Sequence, residues 1–516
     1  MADPYYLTTA IHYPNGPPHI GHAYETIAAD VLARFQRLRG REVRFQTGTD
    51  EHGLKMAQKA RELNIGPREL ADEMSTHFRG LFDKLGITYD RFFRTSEDVH
   101  HVASQAIWRA MADSGDLYLD RYEGWYSVRD EAYYDESELI EGEGGAKLSP
   151  QGTPVEWTAE ESWFFRLSAY QDRLLTHYHD HPDFIRPASR RNEVMRFVEG
   201  GLRDLSVSRT SLDWGVKVPG APDHVMYVWV DALTNYLTGL GYPDDTPEME
   251  RFWPADLQLI GKDIVRFHAV YWPAFLISAG LPLPRAIFAH GFLLNRGQKE
   301  SKSLGNVTDP GELADRFGVD VLRYFLLREF SFGQDGSYSQ EAIVSRANSE
   351  LANSFGNLAQ RVMSFVAKNC AGELNATAPV EPVDADLRAK VKQACGVELP
   401  AAFEELAFAA GLEAWMQVVF ACNAYVDEQA PWALRKTDPE RMQRVLATLC
   451  GCIRDLAIAV SPVIPDATGR LLDALCIPED ARDFAALEQD PALGPIRISN
   501  PQPVFPRLEL PEKSAG

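Results

Sequence analysis

Cysteine is scarce and confined to one region: six residues in 516, Cys370, Cys395, Cys422, Cys450, Cys452 and Cys476, all in the last third of the chain and none in a Cys-x-x-Cys pair. This gives neither the disulfide framework of a small secreted domain nor paired thiolates for zinc, and it suits reduced, buried core cysteines of a cytoplasmic protein. Long apolar runs are missing as well. Prolines break even the stretch 269–284, so nothing reaches the ~18 residues a membrane helix needs. The opening Met-Ala-Asp-Pro lacks the basic-then-apolar pattern of a secretion signal. Positive charge is in deficit, since 52 Lys and Arg against 74 Asp and Glu leave a net charge of −22. Any polynucleotide contact must then come from local arginines such as Arg34, Arg37, Arg39 and Arg41, or Arg186, Arg190 and Arg191, or Arg346 and Arg361, groups that serve equally as solvated faces.

What is present is a patterned, globular chain. With 45% hydrophobic residues it can build two to four cored domains. Over residues 5–116, strand-like runs (5–11, 42–47) alternate with helix-period ones (23–38, 54–63, 67–85), as in a parallel α/β sheet. From 117 to 226 the texture turns aromatic and charged, as expected of a small inserted α+β domain. Strand-like runs resume at Tyr227-Val228-Trp229-Val230-Asp231, 257–261 and 286–290, so the insertion splits one Rossmann-like domain. A basic, glycine-bearing loop runs from Gly291 to Gly305. Beyond Ser337, helix-period stretches (341–368, 387–395, 408–426, 439–460) predict an all-α helical domain, and the proline-rich tail from Pro478 is expected to run extended over the surface. The expected division is 1–116 and 227–296 for the sheet domain, 117–226 for the insertion, 297–340 for the loop and a linking region, 341–477 for the helical domain and 478–516 for the tail.

Residues 14–22, Pro-Asn-Gly-Pro-Pro-His-Ile-Gly-His, stand between the first strand and the first helix. Pro17 and Pro18 suit a helix beginning, and His19 and His22, three apart, then share a face. Both imidazoles can address a phosphate placed over the free N–H groups of the first turn, with Gly21 leaving room for a ligand against the backbone. A capped helix bearing two surface histidines has the same pattern. Thr47-Gly48-Thr49-Asp50-Glu51-His52-Gly53 leaves the C-terminal end of the second strand, where open parallel sheets bind ligands. Far along the chain, Gly297-Gln298-Lys299-Glu300-Ser301-Lys302-Ser303 follows the last strand of the split sheet. Its two lysines suit outgoing phosphates, although a lysine-bearing surface loop looks the same.

The pairing of His-Ile-Gly-His with a late Lys-x-Ser-Lys-Ser resembles the class I aminoacyl-tRNA synthetases. Ala10-Ile11-His12-Tyr13-Pro14-Asn15-Gly16, Thr49-Asp50-Glu51-His52-Gly53, Tyr227 to Ala232, Ile260 to His268 and Phe332-Gly333-Gln334-Asp335-Gly336 are similar to the methionyl-tRNA synthetase family. Tyr425 to Trp432 resembles that family's anticodon-binding region, so the resemblance covers residues 5–507. It implies a ligase that activates L-methionine with ATP to methionyl-adenylate and pyrophosphate, then passes methionine to the 3′-terminal adenosine of tRNA(Met), initiator tRNA included. The implied catalytic residues are His19, His22, Lys299 and Lys302. ATP, with Mg²⁺, would be held by these four together with Gly21, Gly261, Asp263, His290 and Phe292. The implied methionine site has Asp50 at the ammonium group and Ile11, Tyr13, Trp229, Leu233, Tyr236, Ile264 and His268 around the thioether, with Tyr13 or His268 donating weakly to sulfur. Asn357, Arg361 and Trp432 fall on the anticodon-reading positions.

Three features depart from the family pattern. Many members carry zinc on Cys-x-x-Cys pairs in the insertion, where this chain has Ser127-Val128-Arg129-Asp130, so no zinc is expected; His177-Tyr178-His179-Asp180-His181 suits a helix end better than a metal. Glu300 stands where the family has Met and weakens the positive potential between the lysines unless it turns outward toward Arg296. Without an appended dimerising domain, a monomer is expected, and an insertion of roughly 110 residues is small for a separate editing domain. Nucleotidyltransferases share His-x-Gly-His, but the helical region with Asn357, Arg361 and Trp432 argues against them. A non-catalytic tRNA-binding relative is opposed by the intact His19, His22, Lys299, Lys302 and Asp50.

Overall fold

The structure is a computed structural model describing residues 2–299, 308–489 and 495–510. Six parallel strands form its central sheet, β1 (Pro4–Thr9), β2 (Glu42–Thr49), β3 (Arg91–Arg94), β4 (Ile185–Arg186), β5 (Leu257–Gly261) and β6 (Ile287–His290), in the order β3, β2, β1, β5, β6, β4. The central strands are buried almost throughout, as a parallel sheet covered on both faces requires. From β1 the chain proceeds through helix α1 (Ile20–Leu38) to β2 on one side, while β5 pairs with the other side of β1. The strand order therefore reverses beside β1, which opens a crevice at the carboxyl ends of β1 and β5.

Residues 117–226 build a four-stranded antiparallel sheet from Leu117–Ser127, Ala132–Tyr134, Glu156–Phe165 and Leu205–Ser206. The same segment returns β4 to the edge of the central sheet, so insertion and sheet domain share hydrogen bonds as well as side-chain packing. Helix α2 (Leu54–Leu63) follows β2, and α3 (Val228–Thr238) leads from the insertion back to the sheet domain. The C-terminal part is helical, centred on α5 (Phe408–Gln429) and α6 (Pro439–Val460). It joins the sheet domain through α4 (Val319–Glu329). There Arg323, wholly buried, donates to Asp30 Oδ2 of α1 at 2.6 Å and to the carbonyls of Leu85, Pro462 and Val463 at 3.3, 2.8 and 3.0 Å. Burial works against the charge on Asp30, but Arg323 and Arg34 keep its pKa below the usual range.

Several expectations are corrected. Tyr227 to Asp231 begins helix α3 instead of a strand: all of α3 except Trp229 is buried, and a helix buried on every face carries the same continuous apolar run as an inner strand. The loop from Gly291 contains a hairpin, Leu293–Asn295 with Gln298–Lys299, and the first of these strands also pairs with Gly336–Tyr338. The tail beyond Pro478 is packed rather than superficial, because Leu487, Ile498 and Val504 join the helical core and Ile496–Arg497 pairs with Glu373–Leu374. Four cysteines are buried, but Cys476 is exposed and Cys370 half-buried. The arginine groups are largely engaged within the fold: Arg34, Arg37, Arg39, Arg186 and Arg346 pair with Asp30, Asp90, Glu404, Glu405 and Glu329.

Candidate active site

A cleft of about 690 Å³ lies at the carboxyl ends of β1, β5 and β6. Its walls come from the loop after β1 (Ile11, His12, Tyr13), the start of α1 (His19, Gly21, His22, Glu25), the loop after β2 (Asp50, Lys55) and the insertion (Arg129, Glu131). Trp229 of α3, then Gly261, Asp263 and Ile264 after β5 and His290 and Phe292 after β6, complete it. Twelve of the residues expected at the ATP and methionine sites are thus gathered in one cavity. Leu233, Tyr236 and His268 are buried behind its wall instead of lining it.

The two histidines cap the helix they begin. His19 is the N-cap residue, and its Nδ1 accepts from the Gly21 N–H at 3.1 Å, while Nδ1 of His22 accepts from the His19 N–H at 3.1 Å. The rings stack with centroids 3.8 Å apart. Each Nδ1 is therefore an acceptor, so in the neutral rings the hydrogen sits on Nε2, the outer edge of the pair. This revises two expectations. The imidazoles themselves take first-turn N–H groups, and the space over Gly21 is filled by the His19 ring, since a Cβ at Gly21 would lie 2.9 Å from His19 Cε1. Beside them, burial and then the neighbouring His19 and His290 push the His12 pKa down to about 3, which keeps that ring neutral.

Asp50 is the opposite pole. It is 5% exposed, and its Oδ1 has no hydrogen-bond partner. Burial, followed by the carboxylates of Asp231 and Glu131, holds its pKa well above the usual range. Burial also works against Asp231, but His52, with Nδ1 3.2 Å from its carboxylate, and His100 bring its pKa below the usual value. Of the two aspartates Asp231 is the one held ionised, and Asp50 is the carboxyl that a bound cation would ionise.

His290 closes the other side. Its Nδ1 donates to the Gly291 carbonyl and its Nε2 to Glu25 Oε2, both at 2.8 Å. Burial opposes the imidazolium, but the bond to Glu25 wins and the His290 pKa is raised. Phe292 is held by Asp335, which accepts its N–H at 2.8 Å and pairs with Lys262 at 2.7 Å, while the Lys262 ammonium stands 4.5 Å from the Phe292 ring centre. Trp229 stacks on Phe267 at 4.0 Å. Behind it, His268 donates from Nδ1 to the Ile264 carbonyl at 3.0 Å and accepts at Nε2 from the Tyr236 hydroxyl at 2.7 Å. Burial pushes its pKa down to about 4, so the ring is neutral with both nitrogens engaged, and it has no hydrogen to offer sulfur. Tyr13 is engaged as well, its hydroxyl lying 2.8 Å from the His52 carbonyl and 3.1 Å from Glu131 Oε1.

Lys302 and Glu300 lie outside the described residues, and of Lys299 only its place in the strand Gln298–Lys299 is described. Arg296, the suggested partner of Glu300, pairs with Glu341 at 2.9 Å. Far from the cleft in sequence, Asn357 and Arg361 stand one turn apart on the helix Asn357–Asn369. Arg361 reaches Asp427 at 2.7 Å and lies 5.7 Å from the ring centre of Trp432, which is 47% exposed. Glu25 and Glu131 went unnoticed in the sequence, while His12 and Asp231 stood inside motifs shared with the family without a role of their own. Of the first two only Glu25 left a signal, a carboxylate among Ala23, Tyr24 and Ile27.

A family profile described as "tRNA synthetases class I (M)" matches residues 5–363. The chain belongs to this class I methionine–tRNA ligase family. A second profile, "Anticodon binding domain of methionyl tRNA ligase", matches residues 376–497. Among relatives of this family, the methionine–tRNA ligase of Rhizobium meliloti is 56% identical over 511 residues, covering 99% of each chain. That of Mycobacterium tuberculosis is 54% identical over 520 residues, again covering 99% of each. The fold matches M. tuberculosis methionyl-tRNA synthetase in complex with methionyl-adenylate at a TM-score of 0.95, with 54% identity over 98% of this chain and 100% of that one. Against the apo form of the same enzyme the TM-score is 0.89, at 51% identity and with 99% of each chain covered.

Proposed function

We propose that the cleft activates L-methionine with ATP and that the product methionyl group is then transferred to the 3′-terminal adenosine of tRNA(Met). The observation that carries this reading is the opposition, within one cavity, of the stacked His19–His22 pair and the buried Asp50 with its unpartnered oxygen. A methionine whose ammonium meets Asp50 has its carboxylate free to attack the α-phosphorus of ATP. The oxygen–phosphorus bond forms as the bond to pyrophosphate breaks, and no protein nucleophile is needed. As charge builds on the α-phosphate oxygens, the Nε2–H groups of His19 and His22 donate to them; a donor of this kind is worth roughly 10²–10³ in rate. Their tautomers are already fixed by backbone N–H groups, so no reorganisation accompanies the step.

Gly261, Asp263, His290 and Phe292 serve the nucleoside, and Lys299 and Lys302 the outgoing phosphates. Mg²⁺ would arrive on those phosphates, which it binds through oxygen and whose charge it neutralises. Among the described residues no group of three or more His, Cys, Asp or Glu is set to hold a metal. Ile11, Trp229 and Ile264 would contact the thioether directly, with Tyr13, Leu233, Tyr236 and His268 shaping the wall. In the second step a ribose hydroxyl of the tRNA attacks the acyl carbonyl and AMP leaves. Asn357, Arg361 and Trp432 would read the anticodon through an amide edge, a charge and a stacking face. The same reading has the enzyme acting as a cytoplasmic monomer on initiator and elongator tRNA; among the described residues no helix is long and apolar enough to cross a membrane. ATP–pyrophosphate exchange with each amino acid in turn tests the first step, and methionine is expected to drive it.

A further inference from the structure

The insertion sends one carboxylate into the cleft wall. Glu131 is 6% exposed and has a φ of +49°, a left-handed backbone that a glutamate adopts only where its surroundings enforce it. On one side the enforcement comes from Asp130, whose Oδ2 accepts from Ser149 Oγ at 2.7 Å, Thr153 Oγ1 at 2.5 Å and the Tyr134 hydroxyl at 3.1 Å. Ser127 Oγ bonds Thr153 Oγ1 at 2.8 Å and accepts the Asp130 N–H at 3.2 Å, which closes the turn. Ser127 and Ser149 have no solvent exposure and Asp130 is half-buried, so this cluster is a largely buried polar staple holding residues 127–131.

On the other side Glu131 binds three separate segments. Its carbonyl accepts from the Tyr227 hydroxyl at 2.6 Å, just before α3. Its Oε2 accepts from the Tyr126 hydroxyl, and its Oε1 accepts the Lys55 N–H at 2.9 Å in the first turn of α2. The same Oε1 is 3.1 Å from the Tyr13 hydroxyl, which also accepts from Met56 N–H at 3.3 Å. The loop carrying Asp50 is therefore pinned at its far end, residues 52–56, by a side chain of the insertion.

We propose that Glu131 is a positioning residue for the amino-acid substrate. Through Tyr13 and the backbone of residues 52–56 it carries the posture of the insertion, set by the Asp130 staple, to the pocket around Asp50. This rests on the reading of the cleft as the methionine site. One oxygen takes Lys55 N–H and Tyr13 O–H and the other takes Tyr126 O–H. A glutamine would keep the first set on its carbonyl and donate its NH₂ to the Tyr126 hydroxyl, which also accepts, so removing the side chain, not amidating it, is what releases the loop.

The test is ATP–pyrophosphate exchange by the full chain, with methionine and ATP varied separately. Glu131→Ala is expected to raise the methionine KM about tenfold or more, with ATP KM and kcat changed less than about twofold. Tyr13→Phe should move the methionine KM in the same direction, and the double variant should lose no more than the worse single one, because both act through one contact. A methionine KM unchanged in Glu131→Ala overturns the proposal, as does a parallel fall in kcat and both affinities together with a lower melting temperature, the signature of a merely structural role. Should Glu131→Ala fail to fold, an unchanged methionine KM in Tyr13→Phe overturns it and a raised one supports it. Absence of methionine-dependent exchange in the unaltered protein would instead overturn the functional reading itself, and this proposal with it.

Discussion

Asp50 places in the cleft a buried carboxyl oxygen that has no hydrogen-bond partner, and buried polar groups of this kind call for one. Its pKa is raised, so the ionised fraction grows with pH; a cationic ammonium binds the ionised form. The kcat/KM for methionine is therefore expected to fall as pH drops through that raised value. Asp231→Asn removes the largest charge neighbour named for Asp50 and should move this acid limb to lower pH. A pH profile of exchange in the two proteins checks both the limb and its direction of movement. At this scale the sequence revealed residue types but not their bonds. Asp50 was legible as an acid in a loop leaving a strand, and His19 with His22 as a pair at a helix start. That their Nδ1 atoms are acceptors, that His268 has no free hydrogen, and that residue 131 meets residue 13 are consequences of three-dimensional packing with no trace in spacing.

Between elements, the bond with most at stake is the buried pair of Arg323 and Asp30. It ties α1, the helix that begins at the histidine pair, to α4 and to the Pro462 and Val463 carbonyls that follow α6. Removing the cation leaves Asp30 buried with Arg34 as its remaining cationic partner and Thr88 as its hydrogen-bond donor, together with three carbonyls that lose a donor. Arg323→Ala is expected to destabilise the protein by about 3–5 kcal/mol, read as a lower midpoint in denaturant titration. Elements with a clear hydrophobic period were legible: helices expected at 54–63 and 439–460 occur at those bounds. The start of α3 was not, because burial on all sides erases the period. Nor was the tail, whose prolines suggested an exposed strap although Leu487, Ile498 and Val504 between them insert into the core.

For the molecule as a whole, a parallel sheet supplies the cleft, an insertion sharing that sheet supplies Glu131, and a helical part carries an exposed Trp432 beside Arg361. A net charge of −22 coexists with nucleic-acid recognition in this account because the contacts needed are few and local. Stacking on an exposed tryptophan is worth about 1–3 kcal/mol per base. Trp432→Ala is therefore expected to raise the tRNA KM in aminoacylation by roughly 5- to 100-fold, measured with tRNA(Met) at saturating methionine. The α/β pattern, the split by an insertion and the helical end were all visible in the sequence, since each leaves a different period and texture. The return of β4 to the central sheet was not, because a two-residue strand leaves neither. The claim on which the rest depends is that this cleft activates methionine. ATP–pyrophosphate exchange, run with every standard amino acid under identical conditions, tests it most directly: exchange driven by methionine and by no other amino acid to a comparable extent is the predicted result, and no exchange with methionine, or equal exchange with another amino acid, would contradict it.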